Sequence, residues 1–188
     1  MVRPLVAAAI LLLAPPAEVG AVERVLTLSP KETRIAFTLD ATAHTVHGTV
    51  PVTAGTIRFE PVTGRASGEV TIDLTRARTG NDRRDRDMHR TVLETGKYPK
   101  AVLQPERLAG RLPPSGPAEV KLQGVLRFHG TDHRLEIPAR VVIDGSRLRG
   151  EAHLTIPYVA WGLKDPSRFV LRVGKSVDVR VEIVGELK

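Results

Sequence analysis

The chain of 188 residues contains no cysteine and few aromatic residues. Without cysteine it has no disulfide, no thiolate metal ligand, no cysteine nucleophile and no cysteine-linked lipid anchor, so a metal site would need histidine or carboxylate ligands. The aromatic residues are four Phe, two Tyr and one Trp, whereas Val, Leu and Ile together number 51. The interior of the protein is therefore predicted to be lined mainly by aliphatic side chains.

Long apolar runs are also scarce, and the one near the N-terminus is short. The ten-residue run 5–14 follows Arg3, ends at two prolines and precedes the small residues of 19–21. It is about half of the ~20 residues that a membrane-spanning helix needs, and it has the features of a secretory signal. We predict a cleaved signal peptide over 1–21, one domain over 22–188, a periplasmic location and no membrane-spanning segment.

Basic residues outnumber acidic ones, with 28 Lys and Arg against 21 Asp and Glu and a formal net charge of +7. Such an excess of positive charge is typical of proteins that bind nucleic acid or an anionic membrane. The basic residues, however, are spread along the chain and interleaved with acidic ones, and the densest stretch is RRDRD at 83–87. With neither a basic run nor a recognisable binding motif, the sequence predicts no nucleic-acid partner.

An alternation of apolar and polar residues with a period of two dominates the chain after the N-terminal run. Val70, Ile72 and Leu74, for example, alternate with polar residues. The same pattern recurs at 35–39, 120–128, 148–156 and 177–183. Because this period is typical of strands with one face in the core and one in water, the sequence predicts an all-β protein, either a sandwich or an up-and-down barrel.

Three segments interrupt the alternation. Residues 81–94 begin with two residues that favour N-caps and are predicted as a short helix across the barrel or over its end. Segment 110–117 is predicted as a loop, and 157–166, which holds the only tryptophan, as irregular chain. Pro138 lies in an otherwise regular strand and predicts an edge or a bulge, because proline cannot donate to a strand ladder.

The sequence has no glycine-rich phosphate loop, no G-x-S-x-G and no H-E-x-x-H, so we predict no catalytic residue and no cofactor. Two close histidine pairs, His44 with His47 and His129 with His133, are the candidates for a metal site. Residues three apart on a strand point to opposite faces, and the second pair flanks a turn that could bring the two rings together. Ordinary histidines are favoured, and no metal is predicted.

The predicted helix carries three arginines, Arg83, Arg84 and Arg86. Near a barrel mouth their guanidinium groups could donate to a phosphate or pyrophosphate headgroup. The alternative is an ordinary solvated helix face, where ion pairs stabilise little. Both interpretations stay open, and these arginines are the candidate headgroup ligands.

Several segments, taken in order, resemble the signature of the YceI-like family. The matching pieces are HTVHG at 44–48, SGEVTIDLT at 67–75, TGNDRRDRDM at 79–88, YP at 98–99, GVLRFHG at 124–130 and WG at 161–162. The resemblance extends from about Arg34 to Val184. Two departures are Ala41, where many members carry histidine, and Met88, where leucine is commoner.

The resemblance implies a lipocalin-like, up-and-down antiparallel β-barrel of about eight strands with a short helical insertion. It also implies an exported, non-enzymatic carrier that holds a polyisoprenoid or similar long amphiphile. The residues expected to line the pocket are Phe37, Leu39, Val70, Ile72, Leu74, Leu122, Leu126 and Phe128, with Met88, Tyr158 and Trp161 closing one end. Two other functions remain open, an enzyme or redox accessory acting on an isoprenoid quinone and a histidine-based metal-binding or cation-binding protein. Monomer and homodimer are both open.

Overall fold

A computed structural model describes residues 23–42, 44–167 and 172–188, so the predicted signal peptide over 1–21 lies outside the described residues. Within these ranges the chain forms ten strands and one short α-helix. They are β1 (Arg24–Leu28), β2 (Arg34–Leu39), β3 (Val46–Val50), β4 (Val52–Phe59), β5 (Ala66–Asp73), α1 (Asp82–Asp87), β6 (Lys100–Ala109), β7 (Gly116–Phe128), β8 (Thr131–Asp144), β9 (Arg147–Ile156) and β10 (Val177–Leu187).

The strands close into a barrel, because the last pairs with the first. β10 pairs with β1 where Leu187 faces Leu26, and with β2 where Val179 faces Phe37. β1 and β2 together form one strand of the wall, and β3 and β4 form the next, interrupted at Pro51. Counted in this way, eight antiparallel wall strands follow one another in chain order over the described residues. The predicted up-and-down antiparallel barrel is confirmed.

Connections between wall strands alternate between the two ends of the barrel, because neighbouring strands are antiparallel. The end that carries the β2–β3, β5–β6, β7–β8 and β9–β10 connections is called the mouth end. The end that carries the β4–β5, β6–β7 and β8–β9 turns is called the closed end. The predicted helix and the irregular segment 157–166 both lie at the mouth end, whereas the predicted loop lies at the closed end and is shortened by β7, which begins at Gly116.

The predicted helix is present but is regular only in its first half. After α1, whose N-terminus is capped by the Asn81 side chain accepting from the Arg84 amide at 3.0 Å, a wider π-helical turn extends over Met88–Val92. There the Thr91 hydroxyl donates to the Asp87 carbonyl at 2.7 Å. A threonine hydroxyl that bonds a carbonyl one turn earlier competes with the backbone ladder, which accounts for the widened turn. We call residues 81–94 the helical segment.

Pro138 marks a split in the barrel wall. β8 pairs with β7 along its whole length but with β9 only from Ala139 to Asp144, whereas β9 continues along β10 to Ile156. Because proline has no N–H, the next hydrogen-bonded pair toward the mouth cannot form. The edge predicted at this position is therefore present.

Buried apolar side chains form two clusters, one toward each end of the barrel. The cluster toward the closed end contains Leu26, Leu28, Ile35, Val52, Phe59, Val70, Val120, Val141, Ile143, Leu148 and Leu187. The cluster at the mouth end contains Leu74, Ala101, Leu126, Phe128, Tyr158 and Leu163. In the part of the chain that is described, no helix has the length and apolar character needed to cross a membrane.

Candidate functional site

The barrel encloses a cavity of about 840 Å³. Its volume lies in the range of pockets that bind small molecules and cofactors. Every wall strand contributes aliphatic side chains to it, for example Ile35, Val52, Val70, Leu103, Leu122, Ile137, Leu154 and Val179. The wall therefore offers an apolar surface that makes no directional demands on a ligand.

Ten of the predicted pocket residues line this cavity, and one does not. Those in the lining are Phe37, Leu39, Val70, Ile72, Leu74, Met88, Leu122, Leu126, Phe128 and Tyr158. Trp161 lies outside the lining, where its indole stacks on the His133 ring with centroids 3.9 Å apart and meets Phe128 edge-on at 6.3 Å. The indole thus packs behind the lining, against an aromatic ring on β8. The sequence alone gives no sign of this contact.

Gly48 explains how Phe37 fits against the wall. The two residues face each other across β2 and β3. A Cβ atom on Gly48 would lie 2.2 Å from Cζ of Phe37 and 2.7 Å from the carbonyl oxygen of Arg78. Only glycine leaves room for this approach of ring and backbone, so the glycine of the HTVHG piece has a packing role.

Polar lining residues gather at the mouth end. They are His44, Thr79, Asn81, Arg83, Arg84, Asp87, Arg90, Thr91, Lys164, Asp165 and Ser167. Toward the closed end the lining includes Thr33, whose hydroxyl donates to the Val184 carbonyl at 3.0 Å and is therefore satisfied. The cavity thus has an apolar interior and a charged mouth.

A buried carboxylate fixes the helical segment at the mouth. Asp85 is 4% exposed, and its Oδ1 accepts from the Thr79 amide at 2.9 Å and from the Thr79 hydroxyl at 2.5 Å. Arg84 donates from Nε to the same hydroxyl oxygen at 2.7 Å and from Nη2 to the Thr79 carbonyl at 3.0 Å. The sequence predicts one charged helix face here and gives no sign of this anchor, because Thr79 precedes the helix.

The three candidate headgroup arginines have different surroundings. Arg83 lines the cavity, is exposed, and has no carboxylate within 4.0 Å in the described residues. Arg84 also lines the cavity, but its guanidinium binds Thr79. Arg86 is exposed on the outer face of the helical segment and does not line the cavity. Successive helical residues are rotated by about 100°, so arginines this close in sequence diverge.

The histidine pairs do not assemble into one cluster. His44 faces Arg84 at 3.5 Å, and His129 Nε2 lies 2.9 Å from Glu94 Oε2. His133, as described above, stacks on Trp161. Within 23–42, 44–167 and 172–188, no group of three or more His, Cys, Asp or Glu side chains is arranged to hold a metal ion.

Tyr158 ties the irregular segment 157–166 to the chain that leads into β10. Its hydroxyl donates to the Gly174 carbonyl at 2.7 Å. Burial, with a smaller contribution from the Asp165 carboxylate, raises the pKa of Tyr158 to about 12. The phenol therefore stays neutral as a donor over the physiological pH range.

Comparison with known proteins agrees with this architecture. BcnA of Burkholderia cenocepacia superposes with a TM-score of 0.68 at 14% sequence identity, over 84% of this chain and 98% of BcnA. A polyisoprenoid binding domain from Saccharophagus degradans, implicated in plant cell wall breakdown, superposes with a TM-score of 0.68 at 16% identity, over 86% of this chain and 97% of that domain. The YceI protein of Campylobacter jejuni gives a TM-score of 0.54 at 16% identity, over 69% of this chain and 78% of that protein.

At these identities the solved structures show a common fold. Among curated proteins, none matches the sequence. The family model described as the YceI-like domain matches residues 26–185, which extend from β1 to β10 and include part of every wall strand. With that match, and with the closed barrel that the resemblance implied, the chain belongs to the YceI-like domain family.

Proposed function

We propose that the protein is a non-enzymatic carrier that holds a polyisoprenoid, or a similar long-chain amphiphile, inside the barrel. The observation that carries the proposal is the cavity of about 840 Å³, apolar along its wall and charged at its mouth. Each buried CH₂ group contributes about 0.8 kcal/mol to the free energy of binding, so a prenyl or acyl tail binds without specific polar contacts. The Saccharophagus degradans neighbour, named a polyisoprenoid binding domain, supports this ligand class.

The position of the ligand follows from the polarity of the cavity. The tail occupies the aliphatic interior and the headgroup remains at the mouth. Arg83, exposed and without a carboxylate partner in the described residues, contacts an anionic headgroup, with Arg84 behind it. Arg86, on the outer face, is not part of this contact. Arg83→Gln is expected to weaken binding of a prenyl phosphate roughly tenfold and to leave binding of the matching prenyl alcohol unchanged.

The proposal includes export to the periplasm through a signal peptide over residues 1–21, followed by one domain over 22–188. Its support is the charged N-terminus, the short apolar run and the small residues at 19–21. The intact mass of the protein recovered from the periplasmic fraction should match a chain that begins at Val22. An uncleaved chain confined to the cytoplasm would contradict export. Monomer and homodimer are both compatible with this function.

The carrier function can be tested by native mass spectrometry of the exported protein, followed by lipid extraction. We expect a bound amphiphile in the wild type and none in Leu74→Arg, because Leu74 is 6% exposed and lines the cavity. The matched control is Val142→Arg, which adds the same charge at a side chain that is 51% exposed. If Leu74→Arg does not fold, Leu122→Trp narrows the same cavity with an apolar side chain. Empty wild-type protein whose melting temperature is unmoved by prenyl lipids would exclude the carrier function.

The distribution of polar groups favours a carrier over an enzyme that acts on an isoprenoid quinone. Such an enzyme needs polar groups that converge on the reacting part of the ligand deep in the cavity. Here the charged lining residues stand at the mouth, and the lining Thr33 hydroxyl toward the closed end already donates to a backbone carbonyl.

A further inference from the structure

The helical segment and the turn that follows it have an outer face beside the cavity mouth. A groove on this face is lined by Arg83, Arg86, Arg90 and Lys97, together with the titratable residues Asp87, His89 and Glu94. Asp87 pairs with Arg90 at 2.9 Å, and Glu94 lies 2.9 Å from Nε2 of His129. In the described part of the chain, Arg83, Arg86 and Lys97 have no carboxylate within 4.0 Å. The outer face therefore presents three cations that have no ion-pair partner in the described residues.

Four cations on the barrel wall have different surroundings. Cross-strand ion pairs join Lys121 to Glu136 at 2.8 Å, Arg127 to Asp132 at 2.8 Å, Arg140 to Glu119 at 3.0 Å and Arg180 to Glu151 at 2.9 Å. A carboxylate at this distance cancels most of the field that a cation projects into solvent. These four wall cations are thus locally balanced, whereas three cations on the outer face of the helical segment, close together and beside the mouth, lack such a partner in the described residues.

We propose that this outer face docks on an anionic membrane surface. Arg83, Asp87 and Arg90 border both the groove and the cavity, so the docked face lies directly beside the mouth. Each lysine or arginine near an anionic bilayer adds attraction, and this attraction decays within a Debye length. Docking in this orientation brings the cavity mouth to the bilayer, so an apolar tail passes between the two with little exposure to water. The inference goes beyond the proposed function, because it assigns a partner to a surface outside the cavity.

The character of the groove favours a membrane over a nucleic acid. Proteins that bind single strands combine a basic groove with aromatic side chains on which bases stack. The residues of this groove include no aromatic ring other than His89. Tyr98 lies next to the groove, but its ring already stands 4.9 Å from the Lys97 ammonium and 4.3 Å from the His129 ring.

The test is co-sedimentation of the full domain with vesicles of one part phosphatidylglycerol to three parts phosphatidylcholine, in about 0.1 M salt. The variant is Arg86→Gln with Lys97→Gln, two residues of the outer face that do not line the cavity. The matched control is Arg65→Gln with Arg111→Gln, which removes two exposed cations at the closed end. A wall strand that rises about 3.3 Å per residue and is tilted by about 40° places the closed end roughly 30 Å from the mouth.

We expect the outer-face variant to bind these vesicles roughly 10- to 30-fold more weakly than the wild type. The control should stay within about twofold, because its cations lie several Debye lengths away. Wild-type binding should fall as salt rises and be lost on pure phosphatidylcholine. The proposal would be overturned if both variants lost binding equally, or if the wild type did not bind the anionic vesicles. It would also be overturned if the wild type bound neutral vesicles or a single-stranded oligonucleotide as tightly as the anionic vesicles. The assay needs no isoprenoid, so its failure leaves the carrier function standing.

Discussion

The closed end and the mouth end of the barrel use the same alternation of residues but differ in what holds them together. At the closed end, Val52, Phe59, Ile143, Leu148 and Leu187 are each exposed by 3% or less. At the mouth, the buried groups include the Asp85 carboxylate and the Tyr158 phenol, and both are hydrogen-bonded to backbone.

Tightly packed apolar side chains, including those that border the cavity, resist change throughout their cluster, whereas a few directed hydrogen bonds can break and re-form locally. We therefore expect the closed end to supply most of the global stability. The mouth end supplies an opening that rearranges without unfolding the barrel. Three predictions test this division.

The largest effect is expected at the closed end. Phe59→Ala removes a ring that is 3% exposed and should lower the free energy of unfolding by roughly 3–5 kcal/mol. Both rings border the cavity, but Phe37→Ala removes a phenyl ring from a half-buried position nearer the mouth and should lower the free energy of unfolding by less than half as much. Urea unfolding followed by the fluorescence of the single tryptophan measures both. Equal losses would mean that the two ends contribute alike to stability.

An intermediate effect is expected at the anchor of the helical segment. Asp85→Ala leaves the Thr79 amide and hydroxyl without their acceptor, which costs about 1.5–3 kcal/mol locally. Faster hydrogen exchange should appear in amides of 79–92 while the barrel strands keep their protection. The control, Asp82→Ala, removes an exposed carboxylate from the same helix and should change exchange little. Loss of protection throughout the strands would contradict the separation of the two ends.

The smallest effect at neutral pH is expected from Tyr158→Phe, which removes one hydrogen bond and about 1 kcal/mol. Its signature lies at alkaline pH, because the pKa of Tyr158 is raised to about 12 in the folded protein. The unfolded chain releases this proton near pH 10, so stability is complete below pH 10 and falls between about pH 10 and 12. Urea midpoints against pH should show a shallower alkaline fall in the variant. Parallel curves would mean that Tyr158 does not titrate differently on folding.

The strand faces were predictable from the sequence because their signal is local. Val70 and Ile72 share a face through a period of two, and both line the cavity. The edge at Pro138 was predictable for the same reason, since the missing N–H belongs to the residue itself. Trp161 was not predictable, because its position depends on the contact with His133, which is remote in sequence.

The placement of the three arginines was likewise not predictable from the sequence. Their residue type indicated anion binding, but their placement depended on Asp85 and Thr79. The sequence alone could not distinguish Arg83 at the cavity mouth from Arg86 on the outer face, because both lie in one charged run. Lys164 and His44 also line the mouth and were not among the predicted headgroup residues, since no motif marks either of them.

Composition and periodicity by themselves determined an aliphatic, cysteine-free, all-β domain with one helical interruption, and the ordered motifs identified its family. These properties depend on residue type and on neighbours a few positions apart. The closure of the wall, the charge at one end of the cavity and the contacts at the mouth follow from the tertiary fold alone. Those features depend on pairing between residues far apart in the chain, such as Leu26 with Leu187, and such pairs leave no local pattern.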